Sequence, residues 1–410
     1  MTTKNCAFCK SSLNHTFVNL GMAPMVSAYL SDNQFNDMEP FYPLHAFVCE
    51  ECKLVQLPQA KTPSEIFGNY PYFSSMSSSW LKHASDYVSM AVDRFNLTTD
   101  SKVIEIASND GYLLQYFMKQ GVGVLGIEPA ANVAAVAVEN GIPTVSKFFG
   151  KTTATEIVNS HAKADLIVGN NVLAHVPDIS DFVSGMQVML KASGVITVEF
   201  PHLLKTIKEN QFDQVFHEHF SYLSLIAVNA IFSSYNLQIF DVQEVPTHGG
   251  SIRVFAQHEG SGSRKVETSV ALMFEKENLA GLGGLKTYLD FSQRAVSTKH
   301  KLLAMLIELK SSGKSIVGYG APGKGCVMLN YCGIRDDILD YLVDISPAKQ
   351  GLSMPGVRLP INHPDKIKES RPDFVLILPW NLSAEIINQL EFIREWGGQF
   401  IVPIPEAQIV

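Results

Sequence analysis

The sequence lacks two features that would each point to a distinct class of protein. No apolar run in its 410 residues approaches the roughly 20 that cross a bilayer, and its first residues have no signal-peptide core. The net charge of -8 argues against the basic surface of a general nucleic-acid binder. We therefore expect a cytoplasmic protein that binds neither membrane nor nucleic acid, with two or three domains for its length.

Cysteine is also scarce, but four of the six cysteines are paired in sequence. Cys6 and Cys9 form one C-x-x-C pair, and Cys49 and Cys52 form a second. Two such turns supply the four thiolates of a tetrahedral structural zinc site, whereas disulfides are not expected in a reducing compartment. We expect residues 1–70 to form a small zinc-binding module, the alternative being a coincidental pair of motifs.

A segment rich in aromatic and hydroxyl residues follows at 69–80, with Tyr70 and Tyr72 near its start. Its composition and one proline are typical of a loop. Two readings are open: a linker packed on the next domain, or a lid whose tyrosine hydroxyls reach a polar substrate.

Residues 71–240 alternate between helix and strand patterns. The prediction is helix 80–96, strand 102–107, helix 112–120, strand 122–127, and strands 165–169 and 194–200. The turn Ser108-Asn109-Asp110-Gly111 follows the first strand, and Glu128 ends the second. This order is typical of the first half of a doubly wound nucleotide-binding domain. Ala107 and Asn109 stand where a dinucleotide fold has glycines, which disfavours a bound pyrophosphate.

Two further polar segments belong to the same domain. Asn170 and His175 follow a predicted strand, where such sheets bind ligands; His175 is either substrate-facing or a satisfied loop histidine. The stretch Phe216-His217-Glu218-His219-Phe220-Ser221-Tyr222 places two histidines and a carboxylate together. This composition indicates either a proton-transfer site or a buried or metal-bound cluster.

Residues 241–410 predict a second α/β domain. The pattern indicates a long helix 285–312, strands 341–344, 374–378 and 400–403, and a helix 383–396. His248 and two glycines precede a strand carrying Arg253, as in a plain turn or an anion site. Gly320 and Lys324 belong to a glycine-rich strand-to-helix turn suited to phosphate, and Trp380 could stack on a base or cap the sheet.

These pieces together resemble the nucleotide-deoxysugar C-3-methyltransferases. The shared features are the four-cysteine module, the His-Glu-His segment and the turn Gly-Tyr-Gly-Ala-Pro-Gly-Lys-Gly, in the same three-part order over nearly the whole chain. The resemblance implies an α/β fold in three consecutive parts. These are the zinc-binding module, a central Rossmann-like class I methyltransferase domain at 71–240, and a second Rossmann-like α/β domain for the sugar nucleotide at 241–410.

The resemblance also implies a mechanism. A dTDP-linked 4-keto-deoxysugar binds between the middle and C-terminal domains, a histidine removes the C-3 proton, and the enolate carbon takes the methyl group of S-adenosylmethionine. His219 matches the base and Glu218 its adjacent carboxylate. His175 matches a histidine near the sugar, and Tyr70 or Tyr72 a loop tyrosine.

Further positions carry binding roles by the same resemblance and by the motifs above. The implied cofactor residues are Glu105, Ala107, Asn109, Gly111, Glu128 and Asn170. The candidate substrate contacts are His248, Arg253, Gly320, Lys324, Trp380 and Tyr222. Phe216 departs from the family, which often has tyrosine there; help in polarising the ketone must then come from elsewhere, or the substrate differs.

Two other functions remain open. An NAD-dependent sugar-nucleotide oxidoreductase would use one of the two Rossmann-like halves, although the middle domain lacks G-x-G-x-x-G. A zinc-dependent scaffold would leave the His-Glu-His segment without a catalytic role. In each case we expect a monomer.

Overall fold

A computed structural model describes residues 5–68 and 73–410. Tyr70 and Tyr72 therefore lie outside the described residues. The chain forms two compact units whose segments alternate along the sequence. Unit 1 comprises the described parts of Met1–Leu13, Cys49–His202 and Phe220–Gly283, and unit 2 comprises Asn14–Val48, Leu203–His219 and Gly284–Val410. The division into three consecutive domains stays a prediction.

Strands and helices alternate over most of the described chain. The strands are β1 (His15–Ala23), β2 (Tyr42–Val48), β3 (Val55–Gln56), β4 (Lys102–Ile106), β5 (Gly123–Ile127), β6 (Thr144–Val145), β7 (Ala164–Asn170), β8 (Leu190–Pro201), β9 (Ser221–Tyr222), β10 (Leu237–Val245), β11 (Ser251–His258), β12 (Ile316–Tyr319), β13 (Leu342–Val343), β14 (Ile361–Asn362), β15 (Phe374–Ile377), β16 (Gln399–Val402) and β17 (Gln408–Ile409). The helices are α1 (Pro63–Phe67), α2 (Ser78–Phe95), α3 (Leu114–Lys119), α4 (Ala131–Glu139), α5 (Lys151–Ser160), α6 (Ile179–Met189), α7 (Leu203–Lys208), α8 (Leu225–Ser233), α9 (Thr268–Leu279), α10 (Lys286–Ser311), α11 (Gly323–Cys332), α12 (Lys366–Ser370) and α13 (Ser383–Gln389).

Short 3-10 turns connect several of these elements. They are Asp32–Gln34, Ser74–Met76, Leu173–His175, Phe212–Gln214, Thr247–Gly249, Trp380–Leu382 and Glu391–Trp396. Within 5–68 and 73–410, no helix combines the length and apolarity that a membrane span needs.

Unit 1 is built on a seven-stranded sheet in the order β10-β11-β8-β7-β4-β5-β6. Strands β4 to β8 run parallel to their neighbours, and β11 is antiparallel to both β8 and β10. Strand β4 reads Lys-Val-Ile-Glu-Ile and is buried after its first residue, as expected for a strand covered on both faces. The carboxyl ends of β4, β5, β7 and β8 therefore meet along one edge, where open α/β sheets bind ligands.

Helix α2 packs against this sheet through one apolar face. Tyr87, Val88 and Ala91 are buried, and the helix ends where Asn96 adopts left-handed backbone angles. The Ser77 hydroxyl caps its first turn by accepting the Trp80 amide. The Ser74–Met76 turn immediately before α2 is hydrogen-bonded to residues that follow β4. Together with the cap, these bonds hold the first two turns of α2 beside the ligand-binding edge.

Unit 2 contains a six-stranded sheet in the order β14-β13-β12-β15-β16-β17. Strands β12 to β16 are parallel, and β17 adds an antiparallel edge. Strands β1 and β2 pair antiparallel and pack on α10, where the Phe17 and Phe291 rings stack with centroids 4.5 Å apart. The second Rossmann-like α/β sheet predicted from the sequence is confirmed.

One predicted helix is wrong in its length. The pattern over 383–396 predicted a continuous helix, but α13 ends at Gln389 and a 3-10 turn covers Glu391–Trp396. Gly397 adopts left-handed angles just beyond it. The Trp396 indole donates to the Pro372 carbonyl, and this tertiary contact accompanies the change of helical pitch.

Candidate active site and metal centre

The four paired cysteines converge on one point in unit 1. Their sulfur atoms all lie within 4.8 Å of one another, with Cys6 3.6 Å from Cys52 and Cys9 3.4 Å from Cys49. A tetrahedral zinc ion with bonds of about 2.3 Å requires sulfurs roughly 3.8 Å apart, so the cluster fits the ion. Four thiolates would leave no position for substrate, so a zinc ion held there would be structural.

The two cysteine turns share one backbone geometry. In each turn a lysine follows the second cysteine, and its backbone amide donates to the carbonyl of the first cysteine. The distance is 3.1 Å for Lys10 and 3.0 Å for Lys53. Both lysines have a positive φ, at 65° and 59°. The Gln56 side-chain amide donates to the Cys6 sulfur at 3.2 Å, an outer contact that orients a metal ligand.

The turn after β4, residues 107–111, is called the cofactor turn below. Ala107, Asn109 and Gly111 have φ of 56°, 50° and 80°, so all three motif positions adopt left-handed backbone angles. An ideal Cβ on Gly111 would lie 2.1 Å from the Ile142 Cδ1 atom, so a side chain there would displace the end of Ile142 and would also be strained by the positive φ. The motif geometry is therefore present although two of its glycines are replaced.

Ala107→Gly tests this strain directly. A left-handed conformation costs a non-glycine residue about 1–2 kcal/mol, while glycine adds roughly 1 kcal/mol of unfolded-state entropy. We expect the free energy of unfolding in urea to stay level or rise by up to about 1 kcal/mol. Ala137→Gly, a buried position on α4, is the control and should lower it by about 1 kcal/mol. A comparable loss in both variants would contradict strain at 107.

Several buried polar atoms at this edge have no hydrogen-bond partner among the described residues. They are Glu105 Oε2, Asp110 Oδ1 and both side-chain atoms of Asn170. Burial, with the charges of Glu128 and Asp110, raises the pKa of the Glu105 carboxyl well above its usual range. Such atoms are costly unless a ligand satisfies them, and they suit the hydroxyl and ammonium groups of S-adenosylmethionine.

The segment before α2 is bonded to the cofactor turn. The Ser74 amide donates to Asn109 Oδ1 at 2.8 Å, and the Ser75 amide donates to Asp110 Oδ2 at 3.1 Å. Glu128 supports the turn from β5, because its carboxylate accepts the Asn109 amide at 3.0 Å. The two serine contacts could not be predicted from the sequence, since a run of serines is typical of any loop.

The His-Glu-His segment separates into two different histidine environments within unit 2. His217 is buried, with Nε2 3.3 Å from the Pro43 carbonyl, and burial lowers its pKa, which favours a neutral structural ring. His219 is half-buried, with Nδ1 3.0 Å from the Gln214 carbonyl. Because a carbonyl oxygen only accepts hydrogen bonds, Nδ1 of His219 must carry the hydrogen. The neutral ring therefore has its lone pair on Nε2.

Phe216 and Glu218 surround this base candidate differently. The Phe216 and His219 ring centroids are 3.9 Å apart, so the phenyl ring fixes the plane of the imidazole. Glu218 is buried, and burial raises its pKa while a hydrogen bond from Ser27 opposes the rise. The carbonyl of Gln214 and the phenyl ring thus orient His219; the carboxylate role assigned to Glu218 stays a prediction.

His175, Tyr222 and His248 all belong to unit 1. His175 ends the 3-10 turn after β7 and meets Phe67 edge-on, with centroids 5.7 Å apart. Tyr222 is buried on β9, which pairs with β3. His248 lies with Nε2 3.1 Å from Asn171 Nδ2, directly beyond the carboxyl end of β7.

Arg253 belongs to a charged cluster that sequence reasoning missed. Its guanidinium lies 2.7 Å from the carboxylate of Glu199, its register partner on β8, and Thr247 donates to the same carboxylate at 2.9 Å. His83 Nε2 lies 2.9 Å from Glu199 Oε2. Burial acts to raise the pKa of Glu199, but the His83 hydrogen bond and the Arg253 charge hold it at about 2. We call these four residues the Glu199 cluster.

The Lys324 ammonium, in the glycine-rich turn of unit 2, contacts side chains of the Trp380–Leu382 turn. The ammonium donates to Asn381 Oδ1 at 2.7 Å and lies 4.5 Å from the centre of the Trp380 ring. The indole in turn donates to buried Asp213 at 2.7 Å, and burial raises the pKa of Asp213 to about 6. Gly320 has φ of 83°, as the tight turn requires. Their predicted roles toward substrate stay predictions.

Family models match three consecutive parts of the chain. Residues 6–67 match a zinc binding domain family, residues 80–242 a methyltransferase domain, and residues 246–405 a C-methyltransferase C-terminal domain. Over 98 residues the chain is 30% identical to a ubiquinone biosynthesis O-methyltransferase of Rhodopseudomonas palustris, covering 24% of this chain and 38% of that protein. A solved S-adenosylmethionine-dependent methyltransferase from Clostridium acetobutylicum is 12% identical, with a TM-score of 0.35, covering 44% of this chain and 92% of that one.

One relative matches the chain nearly from end to end. C-methyltransferase NovU of Streptomyces niveus is 36% identical over 394 residues, which are 96% of this chain and 93% of that protein. The match therefore includes the cysteine module, the sheet with the cofactor turn and the C-terminal α/β part. The chain belongs to the C-methyltransferase family.

Proposed function

We propose that the protein transfers a methyl group from S-adenosylmethionine to C-3 of a nucleotide-linked 4-keto-deoxysugar through an enolate, in branched-sugar biosynthesis. The observation that supports this most is the cofactor turn. It has three left-handed positions, and the acceptors beside it on Glu105, Asp110 and Asn170 have no hydrogen-bond partner within residues 5–68 and 73–410. The relative NovU, a C-methyltransferase by name, supports a carbon acceptor.

The residues proposed to hold the cofactor are those already assembled at the edge of the unit 1 sheet. Glu128 would take the ribose hydroxyls, and Glu105, Asp110 and Asn170 would satisfy the remaining polar groups. When bound, S-adenosylmethionine supplies an electrophilic methyl group on a cationic sulfur, which leaves with the bonding electron pair.

The proposed base is His219. Its Nδ1–H is engaged by the Gln214 carbonyl, so Nε2 is the nitrogen that can accept a proton from carbon. A 4-keto group acidifies both neighbouring C–H bonds of the sugar, and we propose C-3 as the site. The proton passes to His219, and the electron pair left on carbon is delocalised onto the ketone oxygen until the new C–C bond forms.

Product analysis tests this function. Purified protein is incubated with a dTDP-4-keto-6-deoxysugar and S-adenosylmethionine carrying a carbon-13 methyl group. We expect a new methyl carbon coupled to C-3, with one S-adenosylhomocysteine formed per product. A methyl group on oxygen, or turnover only with NAD, would contradict the proposal.

Phe216 provides a second test, because the family often has tyrosine at that position. Phe216→Tyr keeps the ring that packs against His219, and we expect methyl transfer close to that of the parent. Phe216→Leu removes an aromatic contact of about 1 kcal/mol and should slow transfer about fivefold. Steady-state kinetics measure both. A large loss in Phe216→Tyr would show that the site is shaped for a different sugar.

A further inference from the structure

The Glu199 cluster has the geometry of a catalytic dyad and has no role in the function proposed above. His83 Nε2 lies 3.0 Å and 2.9 Å from the two Glu199 oxygens. A lone pair on Nε2 would face the carboxylate anion at both distances. This nitrogen therefore carries a proton and donates a hydrogen bond to the carboxylate. Nδ1 is then the ring nitrogen that Glu199 does not engage.

The carboxylate is held by more groups than a structural ion pair needs. Arg253 and Thr247 also donate to Glu199, and the Glu199 side chain is fully buried. The Arg253 guanidinium lies 3.3 Å from His83 Nε2 as well. His83 retains 19% of its side-chain exposure, so the imidazole is the member of the cluster that can meet a ligand. A buried, fixed carboxylate that orients a partly exposed imidazole is the recurring design of acid–base sites.

An aromatic stack joins His83 to the cofactor turn within unit 1. The Trp80 ring stacks on His83 with centroids 5.0 Å apart and on Tyr112 with centroids 6.1 Å apart. Tyr112 directly follows Gly111, the last residue of the cofactor turn. Because Trp80 and His83 are three residues apart on α2, both rings lie on one face of the helix.

The strand order puts the cluster on the other side of β4 from Glu128. Glu128 follows β5 on one side of β4, whereas Asn170 ends β7 and Glu199 lies near the end of β8 on the other side. If Glu128 holds the ribose, as proposed above, the cofactor would extend along this edge toward β7 and β8. The acceptor would then meet it near the side chains that end these two strands.

We propose that His83 is a further catalytic residue, which donates a hydrogen bond from Nδ1 to the acceptor's carbonyl oxygen and stabilises the enolate. This rests on the proposed function. The proposal requires a proton on Nδ1 as well as on Nε2. The base takes the carbon-bound proton, the electron pair moves onto the oxygen, and the Nδ1–H of His83 donates a hydrogen bond to that oxygen without transferring its proton. When the C–C bond forms, the carbonyl returns and His83 keeps its protons.

His83→Phe tests the assignment, because the ring still stacks on Trp80 while both nitrogens are lost. We expect kcat to fall on the order of 10²-fold with the KM values nearly unchanged, as when one oxyanion donor is removed. Deuterium exchange of the acidic carbon-bound proton, measured in D2O with S-adenosylhomocysteine bound, should slow by a similar factor. His83→Gln, which restores a donor, should recover part of both rates.

His161→Phe, at an exposed histidine of unit 1, is the matched control and should leave both rates unchanged. Parental exchange in His83→Phe would overturn the proposal, whether methyl transfer is parental or slow. Should His83→Phe fail to fold, Thr247→Val loosens Glu199 instead and should slow exchange severalfold; an unchanged rate there overturns the proposal equally. A parent protein that neither methylates nor exchanges the 4-keto sugar would instead refute the proposed function.

Discussion

His219→Asn is expected to lower the rate of methyl transfer on the order of 10³-fold, since a positioned general base contributes roughly 10²–10⁴-fold. Asparagine can still donate to the Gln214 carbonyl, as His219 Nδ1 does, but it has no basic nitrogen. The affinity for S-adenosylhomocysteine, measured by calorimetry, should stay unchanged, because the cofactor residues belong to unit 1 and His219 to unit 2.

The matched control for this variant is His300→Asn, at an exposed histidine on α10 of the same unit. It should transfer methyl groups at the parental rate. Full activity in His219→Asn would remove this histidine as the base. A simultaneous loss of cofactor affinity and thermal stability would show instead that the substitution damages the fold.

Removing the zinc ligands is expected to have the largest effect on stability. Purified protein should contain about one zinc ion per chain, and Cys49→Ser should abolish this stoichiometry. Apparent binding free energies of structural zinc are about 10–16 kcal/mol, and in small modules this energy is folding energy. We therefore expect Cys49→Ser to lower the free energy of unfolding by on the order of several kcal/mol, which corresponds to a Tm lowered by more than about 10 °C.

Cys326→Ala is the control for this experiment. Cys326 is buried in unit 2 and lies outside the four-sulfur cluster, so its loss should cost packing energy but no zinc. Metal content by mass spectrometry and unfolding by calorimetry are measured together. A Cys49→Ser protein that keeps its zinc, or an unchanged transition without zinc, would contradict a structural metal.

The parts of the site that are local in sequence could be predicted from it. The cysteine spacing locates the metal cluster, and the strand-turn-helix pattern locates the cofactor turn even though Ala107 and Asn109 replace glycines. Short-range rules suffice because the ligands come from two tight turns and the cofactor turn is a single loop. The predicted strand 102–107 agrees with β4 to within one residue, whereas the strand predicted at 194–200 begins four residues earlier, at Leu190.

The missed features depend on long-range pairing. Glu199 lies inside an apolar strand, and nothing near it in sequence indicates a charged partner. The partner, Arg253, is placed opposite it by the antiparallel register of β11. His83 joins them only because α2 packs over the same edge. The alternation of the two units along the chain has a similar origin, since contacts such as Phe17 on Phe291 join residues far apart in sequence.

Proton exchange at C-3 tests most directly whether His219 makes a carbanion at that carbon. The protein is saturated with S-adenosylhomocysteine, so that no methyl group can be transferred, and mixed with the 4-keto sugar nucleotide in D2O. Proton magnetic resonance should show the C-3 proton disappearing with the parent protein and persisting with His219→Asn. Equal exchange rates for the two proteins, or a C-3 proton that persists with the parent protein, would contradict this role of His219.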